Sequence, residues 1–369
     1  MKSKLKIIYV IYDDINNPWV GGGGAIRAYE INKYLVQQGH SVKTICGSYP
    51  NSKKKEIKDG ITFVRLGTSK NYLLSRLSFS FKVISYLKKI SFDVLIEDIS
   101  GNSFTFIPFF FPHAIAVIQN YFGFSILQKH PLLGIFSFLY EKLSLLKYKY
   151  IISVSPELVK KFPRKKTITI PQGIDSLYTE KKDTSENFML FVGRLDFYQK
   201  GIDILLKSLK KNIDLNIKLM IVGGGNTKRL KKMIEKEGLT DYIIYHHKMK
   251  HDELLKAYRQ SYFLCLPSRY EGWPLVCLES YSQGKPVLGT EIPGLSYVIE
   301  HNKTGLKTPI NAEEYAITMR KLLLNKKLRH GLGQQAYLFS RKFTWDNLAK
   351  QQLMFYKKIF RNHIHQDGL

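Results

Sequence analysis

The fold class of this chain is decided by one stretch of sequence, Ser268-Arg-Tyr-Glu271-Gly-Trp-Pro-Leu-Val-Cys-Leu-Glu279-Ser280. The apolar run 264–266 just before it is typical of a buried strand, which we expect to end at Pro267. Apolar residues at helical spacing then predict a helix over 275–283, which places Glu271 on the loop and Glu279 one turn into the helix. In an open parallel sheet, ligands bind outside the carboxyl ends of the strands, where two carboxylates could accept hydrogen bonds from sugar hydroxyls. The competing interpretation is a plain turn followed by a solvent-exposed helix face.

The same alternation of strand and helix signals extends through the rest of the sequence. Strands are predicted at 6–12, 42–46, 94–97, 114–118, 151–154 and 167–170, and again at 188–192, 217–222, 243–246, 263–266 and 286–288. Helices are predicted at 25–38, 72–90, 132–150 and 345–360, and between the later strands. Strands that alternate with helices favour an α/β fold with parallel sheets.

The length of 369 residues is sufficient for two domains. The alternation restarts after the segment Pro171-Gln-Gly173-Ile-Asp175 and a polar stretch at 179–187. We therefore predict two similar domains, 1–178 and 179–344. The amphipathic helix within 345–369 is expected to pack back on the first domain.

The chain carries a formal net charge of +27, with 57 Lys and Arg residues against 30 Asp and Glu residues. Basic runs in the first half lie at 53–55, 88–89, 160–161 and 164–166. Such a field attracts anions, which include nucleic acid, anionic lipid and phosphorylated substrates. A lysine-rich surface that only keeps the protein in solution explains the composition equally well.

The sequence favours a cytoplasmic protein without a membrane span. Cys46, Cys265 and Cys277 have neither metal-binding spacing nor an even number, as expected in a reducing compartment. The apolar run 7–12 is ended by two aspartates and is too short for the core of a signal peptide, so we predict a buried first strand there. The longest apolar stretch, 104–118, is interrupted by prolines and falls short of the roughly 20 residues that a membrane-spanning helix needs.

Glycines and cations follow several of the predicted strands. Gly21–Gly24 open the first predicted helix. Glycine lets the backbone approach a ligand closely, and the helix N-terminus attracts anions. The alternative interpretation is a merely flexible loop. In the second half, Arg194 and Lys200 are both predicted at the carboxyl edge of a sheet, where together they could neutralise a diphosphate. Either cation alone could be one of many on the surface. Gly223–Gly225 place a further backbone turn where a nucleotide could lie.

The spacing of the remaining polar residues predicts no metal site. The sequence contains no Asp-x-Asp pair, and no nucleophile–histidine–acid triad can be assembled from it. His246 and His247 are adjacent on a predicted strand and therefore point to opposite faces of the sheet.

Taken in order, these motifs resemble those of the family 4 retaining glycosyltransferases. The resemblance is carried by the glycine loop, Val-Gly-Arg-Leu at 192–195 with Lys200-Gly201, Gly223–Gly225, and Pro-Ser-x-x-Glu-Gly-x-Pro-Leu-Val-x-x-Glu at 267–279. The segment 171–175 is similar to the family's inter-domain Pro-Asn-Gly-Ile-Asp. The resemblance implies the GT-B architecture, in which two Rossmann-like domains with parallel sheets face each other across an open cleft. The nucleotide sugar would bind mainly to the second domain and the acceptor to the first.

The resemblance also implies roles for individual residues. Glu271 would contact hydroxyls of the donor sugar, Glu279 would hold the ribose, and the cations Arg194 and Lys200 would bind the diphosphate. The other donor-binding positions would be Gly193, Gly223, Gly224, Gly272, Trp273, Pro274, Leu275 and Val276. The acceptor or diphosphate loop of the first domain would comprise Gly22, Gly23, Gly24 and Gln119. Many relatives carry a histidine facing the donor sugar where this chain has Gln119, which exchanges hydrogen bonds but cannot act as an acid.

These expectations together predict a retaining glycosyltransferase that needs neither a metal nor another cofactor. It would move a hexose or N-acetylhexosamine from a nucleotide-diphosphate sugar to a saccharide or a polyprenyl- or other lipid-linked acceptor in cell-surface polysaccharide or glycolipid synthesis. Basic, aromatic helices at 72–90 and 132–150 predict peripheral attachment to the anionic inner face of the cell membrane.

Three other classes of function compete with the transferase. A non-catalytic, transferase-like subunit that binds a partner enzyme is favoured by Gln119 and disfavoured by the intact set of Arg194, Lys200, Glu271 and Glu279. A nucleic-acid binder is suggested by the charge alone, without a recognised motif, so we expect no nucleic-acid partner. A sugar-nucleotide epimerase shares the architecture but fits the segment 268–280 less well.

Overall fold

A computed structural model of the protein describes residues 4–20, 22–99, 104–119, 131–160, 162, 165–175 and 186–364. Several positions named above lie outside these residues: Gly21 of the glycine loop, two cations of the basic runs (Lys161 and Arg164), and the predicted domain boundary at 178/179. The chain divides into two compact units, one formed by 1–172 with 345–369 and the other by 173–344.

The first unit is a mostly parallel sheet covered by helices. Its strands are β1 (Lys6–Val10), β2 (Ser41–Gly47), β3 (Lys55–Lys58), β4 (Ile61–Leu66), β5 (Val94–Ile99), β6 (Ile115–Ile118), β7 (Tyr150–Ser153) and β8 (Lys166–Thr169). Its helices are α1 (Gly23–Gln37), α2 (Tyr72–Leu87), α3 (Ile107–Phe110), α4 (Pro131–Lys147), α5 (Pro156–Lys160) and, from the end of the chain, α13 (Trp345–Ile364). The strand order is β3-β4-β2-β1-β5-β6-β7-β8, and β3 is antiparallel to β4.

The centre of this sheet is buried: β1 is apolar after Lys6, and every residue of β5 is buried, including Glu97 and Asp98. The last helix, α13, packs against α1, where the buried guanidinium of Arg27 donates a hydrogen bond to Gln352 Oε1 at 2.8 Å.

The sequence analysis did not predict the β3–β4 hairpin. Its two-residue turn is Asp59-Gly60, in which both residues have positive φ, as in the type I′ turns that are common in hairpins.

The second unit is a parallel six-stranded sheet with helices on both faces. Its strands are β9 (Phe188–Val192), β10 (Lys218–Val222), β11 (Ile243–His246), β12 (Ser261–Leu266), β13 (Val287–Thr290) and β14 (Gly305–Thr308), in the order β11-β10-β9-β12-β13-β14. Its helices are α6 (Ile202–Lys210), α7 (Thr227–Glu237), α8 (His251–Gln260), α9 (Leu275–Ser282), α10 (Pro293–Ser296), α11 (Ala312–Leu324) and α12 (Lys326–Ser340).

Two hydrophobic clusters fill the two faces of the second sheet. Alternate residues of β9 belong to different clusters, with Phe191 in one and Leu190 in the other. The strands and helices predicted by residue range are all present, with ends that differ by a few residues. The predicted α/β fold class with two parallel-sheet domains is confirmed.

Candidate active site

The polar residues singled out in the second half lie on loops at the carboxyl edge of the second sheet. The loops after β9, β10 and β12 leave the sheet at this edge, because those strands are parallel neighbours. Glu271 lies on the loop between β12 and α9, and Glu279 lies in α9, as predicted. Lys200 comes just before α6.

The closest pair in this region joins Lys200 to Glu271. The Lys200 ammonium donates to Glu271 Oε1 at 2.6 Å, and the Ser268 hydroxyl donates to the same oxygen at 2.8 Å. Both charged side chains are largely buried, with exposed fractions of 14% for Lys200 and 7% for Glu271. The carboxylate is therefore held at one oxygen, whereas Oε2 has no hydrogen bond to the described residues.

Glycine allows the loops to approach closely enough for this pair to form. Gly201 follows Lys200 with φ +64°, and a Cβ there would lie 1.9 Å from the carbonyl oxygen of Pro267. Gly294, at the start of α10, packs on the backbone of Glu271, whose carbonyl oxygen would be 1.9 Å from an added Cβ. Any larger side chain at either position would push the loops apart.

A second ion pair fixes the same two loops. Arg269 donates to both carboxylate oxygens of Asp203, at 2.8 and 2.6 Å, and its guanidinium also lies over the ring of Tyr198. The Arg269 guanidinium lowers the pKa of Asp203, although partial burial opposes this effect. A bidentate pair of this kind restrains both orientation and distance, so it holds the start of α6 against the loop that carries Glu271.

Glu279 is partly buried and is held by a tyrosine. The Tyr258 hydroxyl, on α8, donates to Glu279 Oε2 at 2.7 Å. Burial raises the pKa of Glu279, and the hydrogen bond from Tyr258 partly offsets that rise. Burial raises the pKa of the nearby Cys277 thiol, the charges of Glu271 and Glu279 add to that rise, and the charge of Lys200 opposes it.

Arg194 differs from Lys200 in having no partner in the described part of the chain. Its exposed side chain lies two residues after the end of β9 and makes no hydrogen bond or ion pair with the described residues. Of the two cations predicted to bind a diphosphate, Lys200 is thus neutralised by a carboxylate, whereas Arg194 pairs with none of the residues that the structure describes.

The glycines after β9 and β10 pack on each other. Gly223 has φ +159°, and a Cβ there would lie 1.8 Å from the carbonyl oxygen of Gly193. The amide of Leu195 donates to the Gly224 carbonyl at 2.8 Å. Packing between the two loops is therefore sufficient to explain the need for glycine at 223, whereas Gly224 faces the ring of His247.

The other predicted donor-binding residues lie at the start of α9. Gly272 is exposed, Pro274 occupies the N-cap position, and Leu275 and Val276 form the first turn. Proline cannot cap a helix with its side chain, so the first-turn amides can bind an anion. The Trp273 ring packs on Phe343, and its buried Nε1 has no partner among the described residues.

In the first unit, Gln119 lies beside the glycine loop. Gly22 is the N-cap of α1, Gly23 and Gly24 begin the helix, and only Gly24 is sterically constrained among these three. A Cβ on Gly24 would lie 2.8 Å from Gln119 Nε2, whereas one on Gly22 or Gly23 would meet nothing within 4 Å.

The orientation of the Gln119 amide is determined by its neighbours. Its Nε2 donates to Asp98 Oδ2 at 2.7 Å, and its Oε1 accepts from Gln172 Nε2 at 3.0 Å. Tyr9 also donates to Asp98, and burial raises the pKa of this carboxyl to about 7. Gln119 therefore presents a defined donor and acceptor at the carboxyl edge of the first sheet.

Sequence reasoning missed the residues that support this site. Ser268 and Arg269 lie within the quoted motif but were given no role, and Tyr258 and Asp203 lie on other helices. Motif spacing contains no signal for Tyr258 or Asp203, since their contacts join separate segments. Among the described residues, no group of three or more His, Cys, Asp and Glu side chains is arranged to hold a metal ion.

Two family models match the chain. Residues 21–176 match the model described as Glycosyltransferase Family 4, and residues 178–339 match the model described as Glycosyl transferases group 1. An uncharacterized glycosyltransferase of Methanocaldococcus jannaschii is 32% identical over 215 residues, which cover 57% of this chain and 58% of that protein. The chain spans about half the length of the curated relatives that it matches.

Solved structures share the fold over nearly the whole chain. Sucrose-phosphate synthase from Thermosynechococcus elongatus superposes with a TM-score of 0.78 at 18% identity, covering 97% of this chain and 100% of that one. The Anabaena HepE protein in complex with UDP superposes with a TM-score of 0.72 at 16% identity, covering 96% of this chain and 100% of that one. At such low identity these likenesses show the fold, and they confirm the predicted GT-B class.

Proposed function

The chain belongs to the family 4, group 1 glycosyltransferases, and on this premise we propose that it transfers a hexose or N-acetylhexosamine from a nucleotide-diphosphate sugar with retention at the anomeric carbon. The observation that supports this proposal most strongly is the arrangement around Glu271. A largely buried carboxylate with one fixed oxygen lies at the carboxyl edge of a parallel sheet, next to an ammonium group and an uncapped helix N-terminus. This is the place where nucleotide ligands bind in open α/β sheets.

Each group has a chemical task in the proposed reaction. Glu271 accepts hydrogen bonds from sugar hydroxyls at its second oxygen, Oε2. Glu279, in the helix α9 that follows this loop, accepts from the ribose hydroxyls. Arg194 and the first-turn amides of α9 take the diphosphate, because they offer positive charge and donors that no side chain of the described residues occupies. Lys200 has a dual task, since it orients Glu271 and adds charge near the departing phosphate.

The transfer step needs no side chain that ionises in the reaction. The bond between the anomeric carbon and the diphosphate oxygen breaks, and the bond to the acceptor oxygen forms on the same face of the sugar. The acceptor proton passes to the departing phosphate oxygen, which gains negative charge as the bond breaks. Arg194 and Lys200 stabilise that charge, and fixed cations of this kind lower the barrier without reorganisation.

We also propose that the acceptor is a saccharide or a lipid-linked molecule. The protein would act at the cytoplasmic face of a membrane, in polysaccharide or glycolipid synthesis. The support is the basic, aromatic composition of α2 and α4. No helix in the described part of the chain is long and apolar enough to cross a bilayer. Attachment through these helices would be peripheral.

The test begins with a thermal-shift screen of nucleoside diphosphates and nucleotide sugars, since a ligand that binds only the folded protein raises its melting temperature. Turnover of the nucleotide sugar that binds is then measured in Glu271→Gln and Arg194→Ala, and each variant is expected to lose about 10- to 100-fold. The substitution Lys256→Ala removes the charge of an exposed lysine on α8 and serves as a charge-removal control. A protein that binds none of these ligands, or variants with normal turnover, would reject the proposal.

Metal independence is tested separately with a chelator. Transfer is expected to continue at an unchanged rate, because Arg194 and Lys200 supply the positive charge. Complete loss of transfer that returns on adding a divalent cation would show that this part of the proposal is wrong.

A further inference from the structure

Three helices of the first unit form one layer on one side of its sheet. The inward side chains Phe79 of α2, Ile107 of α3 and Leu145 of α4 belong to a single hydrophobic cluster with the strands. Their contacts with the sheet satisfy the ordinary requirement of an amphipathic helix, which is to bury one apolar face. The opposite faces of these helices are therefore expected to be polar.

The outward faces are instead apolar. On α2, Leu77 and Phe81 lie one turn apart and are exposed, with 80% of Phe81 accessible. Leu139 and Leu143 repeat the same spacing on α4. More than half of the large hydrophobic side chains that are exposed in the described part of the chain lie on or next to these three helices. Scattered exposed leucines are ordinary, but a concentration of this kind marks an interaction surface.

The helix α3 connects the two apolar stripes. Phe109 and Phe110 are both exposed, whereas their neighbour Pro108 is buried. The Lys88 ammonium, at the end of α2, lies 4.7 Å from the centroid of the Phe110 ring. The Lys147 ammonium, at the end of α4, lies 5.8 Å from that of Phe109. The ends of α2 and α4 therefore both lie beside the exposed phenylalanines of α3, and the outward faces of the three helices adjoin there.

The charge on this surface is predominantly positive. The exposed cations on the two long helices and their ends are Lys82, Lys88, Lys89, Lys142, Lys147 and Lys149. The helix α2 contains no acidic residue, and Glu141 is the one acid in α4. A second copy of this chain would bring the same cations together, which disfavours self-association. An anionic bilayer offers negative headgroups at the rim and an apolar interior for the centre.

We infer that the outward face of α2, α3 and α4 docks on an anionic lipid bilayer, with the phenylalanines and leucines in the interface and the lysines on the headgroups. The inference deepens the proposed function and rests on it for the lipid-linked acceptor. Since apolar side chains enter the interface, binding has an apolar component that salt does not screen, in addition to the electrostatic component that salt weakens.

The experiment measures flotation of the full chain with vesicles of phosphatidylglycerol and phosphatidylcholine in equal parts, and with vesicles of phosphatidylcholine alone. The test variant is Leu143→Glu. The matched control is Leu338→Glu on α12, because both leucines lie on helices and are 54% exposed. Both variants add the same charge to the protein, so any difference reports the position. Circular dichroism and the melting temperature establish that both variants are folded.

The wild type is expected to float with the anionic vesicles and much less with the neutral ones. The partition coefficient of Leu143→Glu should fall about tenfold or more, while that of Leu338→Glu should stay within about twofold of the wild type. At about 1 M salt the wild type should lose part of its binding but still exceed Leu143→Glu.

Three results would overturn the inference. The wild type could stay unbound in the presence of anionic vesicles, the two variants could bind equally, or sedimentation could show a dimer that Leu143→Glu dissociates. The last result would assign the surface to a second copy of the chain. Nucleotide binding, measured on the same samples by thermal shift, separates these outcomes from a failure of the proposed function.

Discussion

Replacing Glu271 by glutamine is expected to destabilise the second unit, because it leaves the Lys200 ammonium without its counter-charge. The two groups are 2.6 Å apart and largely buried, with exposed fractions of 14% and 7%. At an effective dielectric constant of about 20, the attraction between unit charges at that distance is roughly 6 kcal/mol. The cost of removing both charges from water offsets much of it, so the net coupling is expected to be about 2–4 kcal/mol.

A double-mutant cycle isolates this coupling. Glu271→Gln and Lys200→Met should each cost about 3 kcal/mol of unfolding free energy, because each leaves one partly buried charge unpaired. The double variant should be more stable than the sum of the two losses predicts. Ser268→Ala removes a single hydroxyl donor to the same carboxylate and serves as a control, with an expected loss of about 1 kcal/mol.

The assay is hydrogen exchange of peptides from β9 and β12, followed as a function of urea concentration. These peptides report the opening of the second unit by itself, which avoids mixing it with the unfolding of the first. A coupling energy below about 0.5 kcal/mol would refute the reasoning, since it would mean that solvent screens the pair as on an open surface.

Three further predictions concern other parts of the site. Glu279→Gln should weaken nucleotide binding by about 10- to 100-fold, because it removes a charged hydrogen-bond acceptor. Tyr258→Phe should weaken it less, because it removes only the donor that orients Glu279. Both affinities are measured by calorimetric titration, and equal affinity in both variants and the wild type would contradict the ribose role. Gly24→Ala places a methyl group 2.8 Å from the side-chain nitrogen of Gln119 and should lower the free energy of thermal unfolding by roughly 1 kcal/mol. The methyl group of Gly22→Ala meets nothing within 4 Å, so that variant should be nearly neutral. Equal melting temperatures would show that the loop has no steric requirement. Burial raises the pKa of Asp98 to about 7, so the folded state holds a proton that the unfolded chain releases. The first unit should therefore lose stability as the pH rises from about 4 to about 7. Asp98→Asn should reduce this dependence of stability on pH, as measured by hydrogen exchange at about pH 5 and about pH 8, and an unchanged dependence would exclude Asp98 as its source.

Local patterns predicted the strands, the motif helix and the positions of the two carboxylates. The run before Pro267 and the spacing after Pro274 are sufficient for this, because a strand and a helix differ in the period of their apolar residues. The β3–β4 hairpin was missed although Asp59-Gly60 is a recognised turn signal. The reason is that β3 has exposed or half-buried residues and little apolar pattern of its own.

The contacts that support the site could not be predicted in the same way. Arg269 and Asp203 form a bidentate pair across 66 positions of sequence, and Tyr258 reaches Glu279 from another helix. Periodicity and motif spacing describe neighbours along one segment. They contain no information about which side chains of different segments approach within hydrogen-bond distance.

The sequence by itself determined the order of the elements and the edge of the sheet at which the charged residues lie, because the carboxyl ends of parallel strands share one edge. It left Lys200 and Arg194 as equivalent cations. Only the tertiary structure decided that Lys200 is paired with Glu271, 71 positions away, while Arg194 has no ion pair with any residue that the structure describes. The physical reason is that charge pairing depends on distance and burial, which arise when separate loops pack at the edge of the sheet.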